Sequence, residues 1–272
     1  MGKILTEALL VGAVGGVLNL DTTLAGQTMV SRPLVSSSIT GAMLGIILKD
    51  FSQGFFVGLG IGALLELIWI ATLPVGGSIP PNSTLAGITG VSLALLSQGD
   101  LNVIFALSII FAVGVGIMAR HLDTLERKII NQRFLHQAIH FAQEGKAGGI
   151  ELVVAGSLFL SFLITFFTCI TIVLAGTKAI NLAADMLPLE VKNGLTTLKY
   201  LLPLLGLGVI TENFLNATNW IYLGISFLLS ILVISLWDIP LLWWLILFTT
   251  ILLVYLRIDA RAKSPKGTKA KI

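Results

Sequence analysis

The chain has 272 residues, of which 56% are hydrophobic and 11% charged, with a net charge of +3 and a mean hydropathy of +0.96. A soluble globular domain carries about a quarter charged residues, so this composition excludes one. The small basic excess sits in local segments with no basic–aromatic interleaving, which excludes a nucleic-acid-binding face, and a single cysteine, Cys169, excludes an internal disulfide framework.

Apolar segments fall near 4–20, 33–48, 54–73, 101–119, 150–175, 217–236 and 239–256, with shorter ones near 83–97 and 198–211. Runs of about 18 or more apolar residues read as bilayer-spanning helices, because a helix satisfies its own backbone where water is absent. The sequence therefore predicts an all-α polytopic membrane protein of about seven to nine hydrophobic segments. The short segments lie beside breaks, Gly76–Gly77 with Pro80–Pro81 and Pro203. Such breaks mark re-entrant or broken helices, which are kept at membrane depth where they line a cavity, and they point to a transporter. The organisation expected is an N-terminal membrane region 1–119, an amphipathic cytoplasmic helix 120–149, a C-terminal membrane region 150–256 and a basic cytoplasmic tail 257–272.

In the first segment Lys3 precedes an apolar run. Glu7, several glycines and the lack of a small-residue cleavage site argue against a removable signal peptide. Polar groups then follow at Asp21, Gln27 and Arg32. Taken alone they read as a solvated connection, with Pro33 at a first helical position, where its missing N–H costs nothing.

Glu66 stands deep in an apolar run, where a charge costs on the order of 2.5 to 3.5 kcal/mol by insertion scales. Gly54, Gly58 and Gly62 precede it at intervals of four, a spacing that lets helices approach closely. Glu66 is thus expected to face protein or a cavity. Two roles are open to it: a structural carboxylate, or a substrate or gating residue, the second favoured by the cost of placing it there. Downstream, Asn82 suits an N-cap for the segment from Ser83 to Leu96. A helix beginning inside the membrane would aim its free N–H groups and positive dipole end at the contents of a cavity. An ordinary capped loop at the membrane surface fits the same residues.

Between Arg120 and Gly149 lies the one extended polar stretch. Leu125, Ile129, Ile130, Phe134, Leu135, Ala138, Ile139 and Ala142 recur at spacings of three and four, the pattern of an amphipathic helix at a membrane surface or against a partner. Its Lys and Arg content places it in the cytoplasm, and the basic tail likewise. The segments 150–175, 198–211, 217–236 and 239–256 separate the two, an even number that agrees with both placements. Glu212, Asn213, Asn216 and Asn219 form a further polar cluster, read as an aqueous loop.

Catalytic chemistry is not expected. His136 and His140 share a helix face, but no third ligand accompanies them, so neither a metal site nor another cofactor is predicted. There is no phosphate-binding glycine loop and no nucleophile elbow.

Across Arg32-Pro33-Leu34-Val35, Gly41, Leu44-Gly45, Asp50, Gly54, Gly58, Leu65-Glu66-Leu67, Gly76-Gly77, Pro80-Pro81-Asn82 and Ala86, the chain resembles the IIC subunits of the mannose/fructose/sorbose/N-acetylgalactosamine phosphotransferase family. The stretch Asn131 to Gly145 is similar to the central polar helix of that family. The resemblance covers about 21 to 150, and the rest by hydropathy and length. It implies a multi-pass sugar-translocating subunit in the bacterial cytoplasmic membrane, not itself an enzyme, assembled as an oligomer of IIC–IID pairs. Soluble IIA and IIB components relay phosphate, and IIB phosphorylates the sugar on arrival. The site residues implied are Glu66 and Asn82, with Asp21, Gln27 and Arg32 behind them. Asn82 and Ser83 would exchange hydrogen bonds with sugar hydroxyls in both directions. Two features depart from the mannose branch: a longer spacing from Asp21 to Arg32, and Pro81-Asn82 in place of Pro-Asp. The second resembles the amino-sugar branch and suggests a hexose or amino sugar such as N-acetylgalactosamine or galactosamine. The alternative is a secondary transporter or energy-coupling subunit that moves unmodified solute.

Overall fold

The computed structural model describes residues 2–25, 30–69 and 80–197, with residues 201, 204 and 208. Gln27, the Gly76–Gly77 pair, the cluster at Glu212, the expected segments at 217–236 and 239–256, most of 198–211 and the basic tail lie outside these residues. Among the described residues there is no strand. Among the described residues these α-helices follow one another: α1 (Gly2–Ala25), α2 (Pro33–Leu48), α3 (Phe51–Ile68), α4 (Ser83–Leu96), α5 (Leu101–Ile130), α6 (His136–Gln143) and α7 (Ala147–Met186), with a π-helical turn, Asn131–Leu135, between α5 and α6, and residues 189–197 are helical as well. Among the described residues four stretches are long and apolar enough to cross a bilayer: Ile4–Leu24, Phe51–Ile68, Leu101–Gln143 and Ala147–Met186. The protein is an all-α polytopic membrane protein.

The two remaining apolar helices are short. At 1.5 Å per residue, α2 and α4 reach about 24 and 21 Å, less than a hydrocarbon layer of about 30 Å. Both begin on chemistry that stops a helix from extending backwards. Pro33 opens α2, and the Asn82 side chain caps α4 by accepting from the Leu85 N–H at 2.9 Å.

Helices α2 and α3 form a hairpin packed backbone to backbone. Gly41 and Gly45 on α2 face Gly54 and Gly58 on α3, and Gly62 faces Pro33 and Leu34 at the start of α2. A Cβ on Gly41 or Gly58 would run into a carbonyl oxygen of the other helix, and one on Gly62 would lie 2.8 Å from the Leu34 Cα. The predicted small-residue face is therefore the seam of this hairpin. Its turn is closed by Lys49 in the left-handed region (φ 63°) and by Asp50, which caps α3 through the Gln53 N–H at 2.9 Å.

Helix α4 is the centre of the bundle. Every residue from Ser83 to Ala94 is buried, and α1, α2, α3, α5 and α7 all pack against it. A helix enclosed on all sides must be apolar all round or satisfy its own polar groups. Thr89 and Ser92 do so by donating to the Leu85 and Ile88 carbonyls at 2.6 and 2.7 Å.

Antiparallel contacts bring the polar ends of the helices to one level. Gly62 meets Pro33, Asn82 meets Gly116, and Gly16 meets Phe162. Helices α1, α3 and α5 thus run toward this level, and α2, α4 and α7 run away from it.

The region 120–149 is not one separate helix. Helix α5 continues unbroken across 119–120 to Ile130, and the chain then passes through the π-helical turn into α6. The apolar spacing read from the sequence is present, with Leu125, Ile129, Leu135 and Ile139 exposed. What turns inward on α5 is Asp123 and Glu126.

Candidate functional site

Glu66 lies one turn beyond Gly62, so the hairpin seam delivers it to the start of α2. There it pairs with the Arg32 guanidinium, and its second oxygen accepts from the Leu34 N–H at 3.5 Å. The pair is partly exposed, at 27% for Arg32 and 22% for Glu66. The cost of a partly buried carboxylate on this apolar helix is offset by a guanidinium and by the open N-terminus of α2.

Asp21 clamps the connection between α1 and α2. Its Oδ2 accepts from both the Ser31 N–H (3.1 Å) and the Ser31 hydroxyl (2.7 Å). The Ser31 carbonyl in turn accepts from Thr84 Oγ1 at 2.7 Å. Because Thr84 spends its hydrogen there, Thr22 is the donor across the 3.1 Å contact between the two hydroxyls.

At the head of α4, Asn82 is fully buried. Its Oδ1 caps the helix, and its Nδ2 faces Asp123 Oδ1 at 2.9 Å, Asp123 Oδ2 at 3.1 Å and Asn19 Oδ1 at 3.2 Å. The backbone N–H of Asn82 donates to the Gly116 carbonyl at 3.0 Å. Asn19 passes the chain on, donating to Thr165 Oγ1 of α7 at 2.9 Å. One turn beyond Asp123, Glu126 accepts from the Ser161 hydroxyl and, at 3.5 Å, from Thr23 Oγ1. Asp123 is 9% exposed and Glu126 6%. Buried polar groups of this kind persist only where each has a partner, and here the partners come from four helices.

A cavity of about 440 Å³ opens beside this network, lined by Asn19, Thr22, Thr23, Asp123, Glu126, Arg127, Ile130 and Asn131. Its size falls within the range of small-molecule sites, roughly 300 to 1,000 Å³. The wall offers carboxylate acceptors, amides and hydroxyls that serve both ways, and a guanidinium donor. That set suits a small polyhydroxylated solute.

The residues singled out in the sequence divide between two neighbouring clusters. Asn82 belongs to the network behind the cavity, and Ser83 follows it, buried, in the first turn of α4. Asp21, Arg32 and Glu66 hold the connection and the hairpin end. Gln27 lies outside the described residues. Asn19, Thr22, Thr23, Asp123, Glu126 and Arg127 were not singled out. A signal for the two acids exists in the sequence. Ala112, Gly116, Ala119, Asp123 and Glu126 recur at spacings of three and four, so the buried small-residue face of α5 runs directly into them. Among the described residues no group of His, Cys, Asp or Glu is arranged to hold a metal ion.

Apolar helices long enough to span, two short ones beginning at a buried polar level, and a cavity at that level mark a polytopic membrane protein with a polar hollow among its helices. Residues 5–256 match the family described as the sorbose-specific IIC component of the phosphotransferase system, and the chain belongs to that family. A chain of Escherichia coli (strain K12) provisionally described as N-acetylgalactosamine permease IIC component 2 is 30% identical over 111 residues, 41% of this chain and 77% of that one. Two solved structures share the fold. One, described as a membrane protein, gives a TM-score of 0.69 at 20% identity, covering 93% of this chain and 95% of the other. The second is the cryo-EM structure of the mannose transporter ManYZ with microcin E492, with a TM-score of 0.52 at 22% identity and coverage of 99% and 98%. The match over 5–256 carries the family past residue 150, the limit of the resemblance read from the sequence. The protein is a multi-pass membrane subunit of sugar transport in that system, a permease component.

Proposed function

We propose that this chain binds a hexose or amino sugar in the cavity between α1 and α5 and delivers it to a IIB partner, which phosphorylates it at the cytoplasmic face of the bacterial inner membrane. The observation that carries this reading is the set Asn19, Asp123 and Glu126, which lines the 440 Å³ cavity with acceptors and an amide and is held from behind by the buried Asn82. Asp123 and Glu126 accept from sugar hydroxyls, and Asn19, Thr22 and Thr23 exchange hydrogen bonds in both directions. Asn82 has its oxygen and both amide hydrogens in use within the protein, so it acts by orienting Asp123. Asp21 and Arg32 fix the path of the chain into α2, and Glu66 couples the end of α3 to it. Ser83 supports the same helix start.

Partner and substrate follow from family membership and from the fold shared with a structure described as the mannose transporter ManYZ. They comprise a IID membrane subunit paired with this chain, soluble IIA and IIB, and an oligomer of such pairs. The stretch 120–149 and the tail 257–272 face the cytoplasm in this arrangement. N-acetylgalactosamine and galactosamine are the first sugars to test, given the relative in Escherichia coli.

Asp123→Ala removes the acceptor that Asn82 serves and one wall of the cavity. Uptake and phosphorylation of the transported sugar should fall at least about 100-fold, the loss of one to two charge-assisted hydrogen bonds, while the IIC–IID complex is recovered in normal amount. Wild-type uptake by that variant would place the sugar elsewhere.

A further inference from the structure

Among the described residues, the two carboxylates of the cavity take their hydrogen bonds from neutral groups, and the cation that acts on Asp123 is Arg127. Asp123 is met by the neutral amide of Asn82, and Glu126 by the hydroxyls of Ser161 and Thr23. The ion pairs among the described residues are Arg32–Glu66, His140–Glu144 and Lys146–Glu144, and none includes either residue. Both are more than nine-tenths buried, and their spacing of three puts them on one face of α5. Arg127 also lines the cavity but is itself exposed. A hydrated cation at the rim screens a buried charge weakly, whereas two buried carboxylates act through a medium of low dielectric. As lined by the described residues, the cavity interior is therefore acidic, with Arg127 at the edge.

We infer that this cavity selects against the phosphorylated form of the sugar it carries. The inference rests on the proposal that the sugar is loaded neutral (or, for an amino sugar, cationic) and phosphorylated by a partner as it leaves. A free sugar brings hydroxyl hydrogens that both carboxylates accept. After transfer, one hydroxyl hydrogen has been replaced by a phosphoryl group carrying about −1.5 to −2 charge near neutral pH and offering acceptor oxygens. Carboxylates have nothing to donate to those oxygens, so Asp123 and Glu126 confront the phosphate with like charge and no hydrogen bond. The sugar phosphate cannot return along the path the sugar took. Direction then comes from the site itself as well as from the chemistry of the partner.

The test is binding to the intact IIC–IID complex in nanodiscs, with galactosamine, N-acetylgalactosamine and mannose each measured against its own 6-phosphate. At least one parent sugar should bind, with its 6-phosphate at least about 100-fold weaker. In the Asp123→Asn/Glu126→Gln double variant the ratio should narrow to below about 10-fold, whatever the absolute affinity. Each single variant, which keeps an amide in place of the carboxylate, should give an intermediate ratio, and these serve if the double variant does not assemble. A wild-type complex that binds a sugar and its 6-phosphate equally, or neutralised variants that keep the full ratio, would overturn the inference and leave the cavity as the sugar site. Failure of every sugar to bind the wild-type complex would remove the site assignment and this inference together.

Discussion

Helix α4 is gripped from two sides by contrasting means. On one side the α2–α3 hairpin is held by glycines, with backbone against backbone and few polar side chains in the seam. On the other, the head of α4 joins α1 and α5 through the Asn82 amide and the Thr84 hydroxyl, and hydroxyls of α7 extend that polar chain to Asn19 and Glu126. The glycine seam tolerates no added atom, because its contacts are with main chain that cannot yield. The polar side depends on its donor count, because a buried acceptor left alone costs about 1 to 3 kcal/mol. The hairpin is built to be rigid. The opposite wall is built from side-chain hydrogen bonds.

The largest effect that would break this contrast is expected in the seam. Gly58→Leu places a side chain against the Ser37 carbonyl and the Gly41 Cα, and should cost about 3 kcal/mol or more by overpacking. Thermal unfolding of the purified complex and its monodisperse yield report it; an unchanged melting temperature would mean that the hairpin can splay. Next comes the joint between the two sides. Glu66→Gln leaves Arg32 without its carboxylate and should lower uptake about 10-fold with the folded protein retained, on the order of one lost charge-assisted bond. Arg32→Gln together with Glu66→Gln should be no worse than Glu66→Gln alone. A double variant much worse than either single would show that each residue has a separate task. The smallest effect lies at the hairpin turn. Lys49 adopts a left-handed conformation that L-residues enter at a cost, so Lys49→Gly should raise stability by less than about 1 kcal/mol, offset by the greater freedom of glycine in the unfolded chain. Equilibrium unfolding in mixed micelles measures this directly. A loss of stability would assign the Lys49 side chain a role of its own.

Which parts of this were legible in the sequence follows from the same contrast. Gly54, Gly58 and Gly62 lie on one helix at a fixed interval, so their shared face and the inward aim of Glu66 could be read from spacing alone. The cap at Asn82 was legible because it concerns residues three apart. The polar wall joins residues separated by 41, 63 and 146 positions, and no local pattern reports such pairings. Asp123 and Glu126 were further masked by Arg120, Arg127 and Lys128 around them, which made the stretch look like a solvated surface. The face that mattered was the continuation of Ala112, Gly116 and Ala119, visible only once α5 is followed past its apolar portion. Asp21 and Arg32 were visible as polar residues, but their tasks depend on where Ser31 and Glu66 sit in space.

Asn82 also sets a mechanical condition on the bundle. Its planar carboxamide is anchored at the oxygen end by α4, while its hydrogens reach toward oxygens on α1 and α5. The group cannot pivot to follow one of these helices without letting go of the other. Any displacement that parts α1 from α5 is thus felt at this nitrogen as well as at the Thr23–Glu126 contact, which makes the amide a tension sensor at the hub of the helices that surround the cavity.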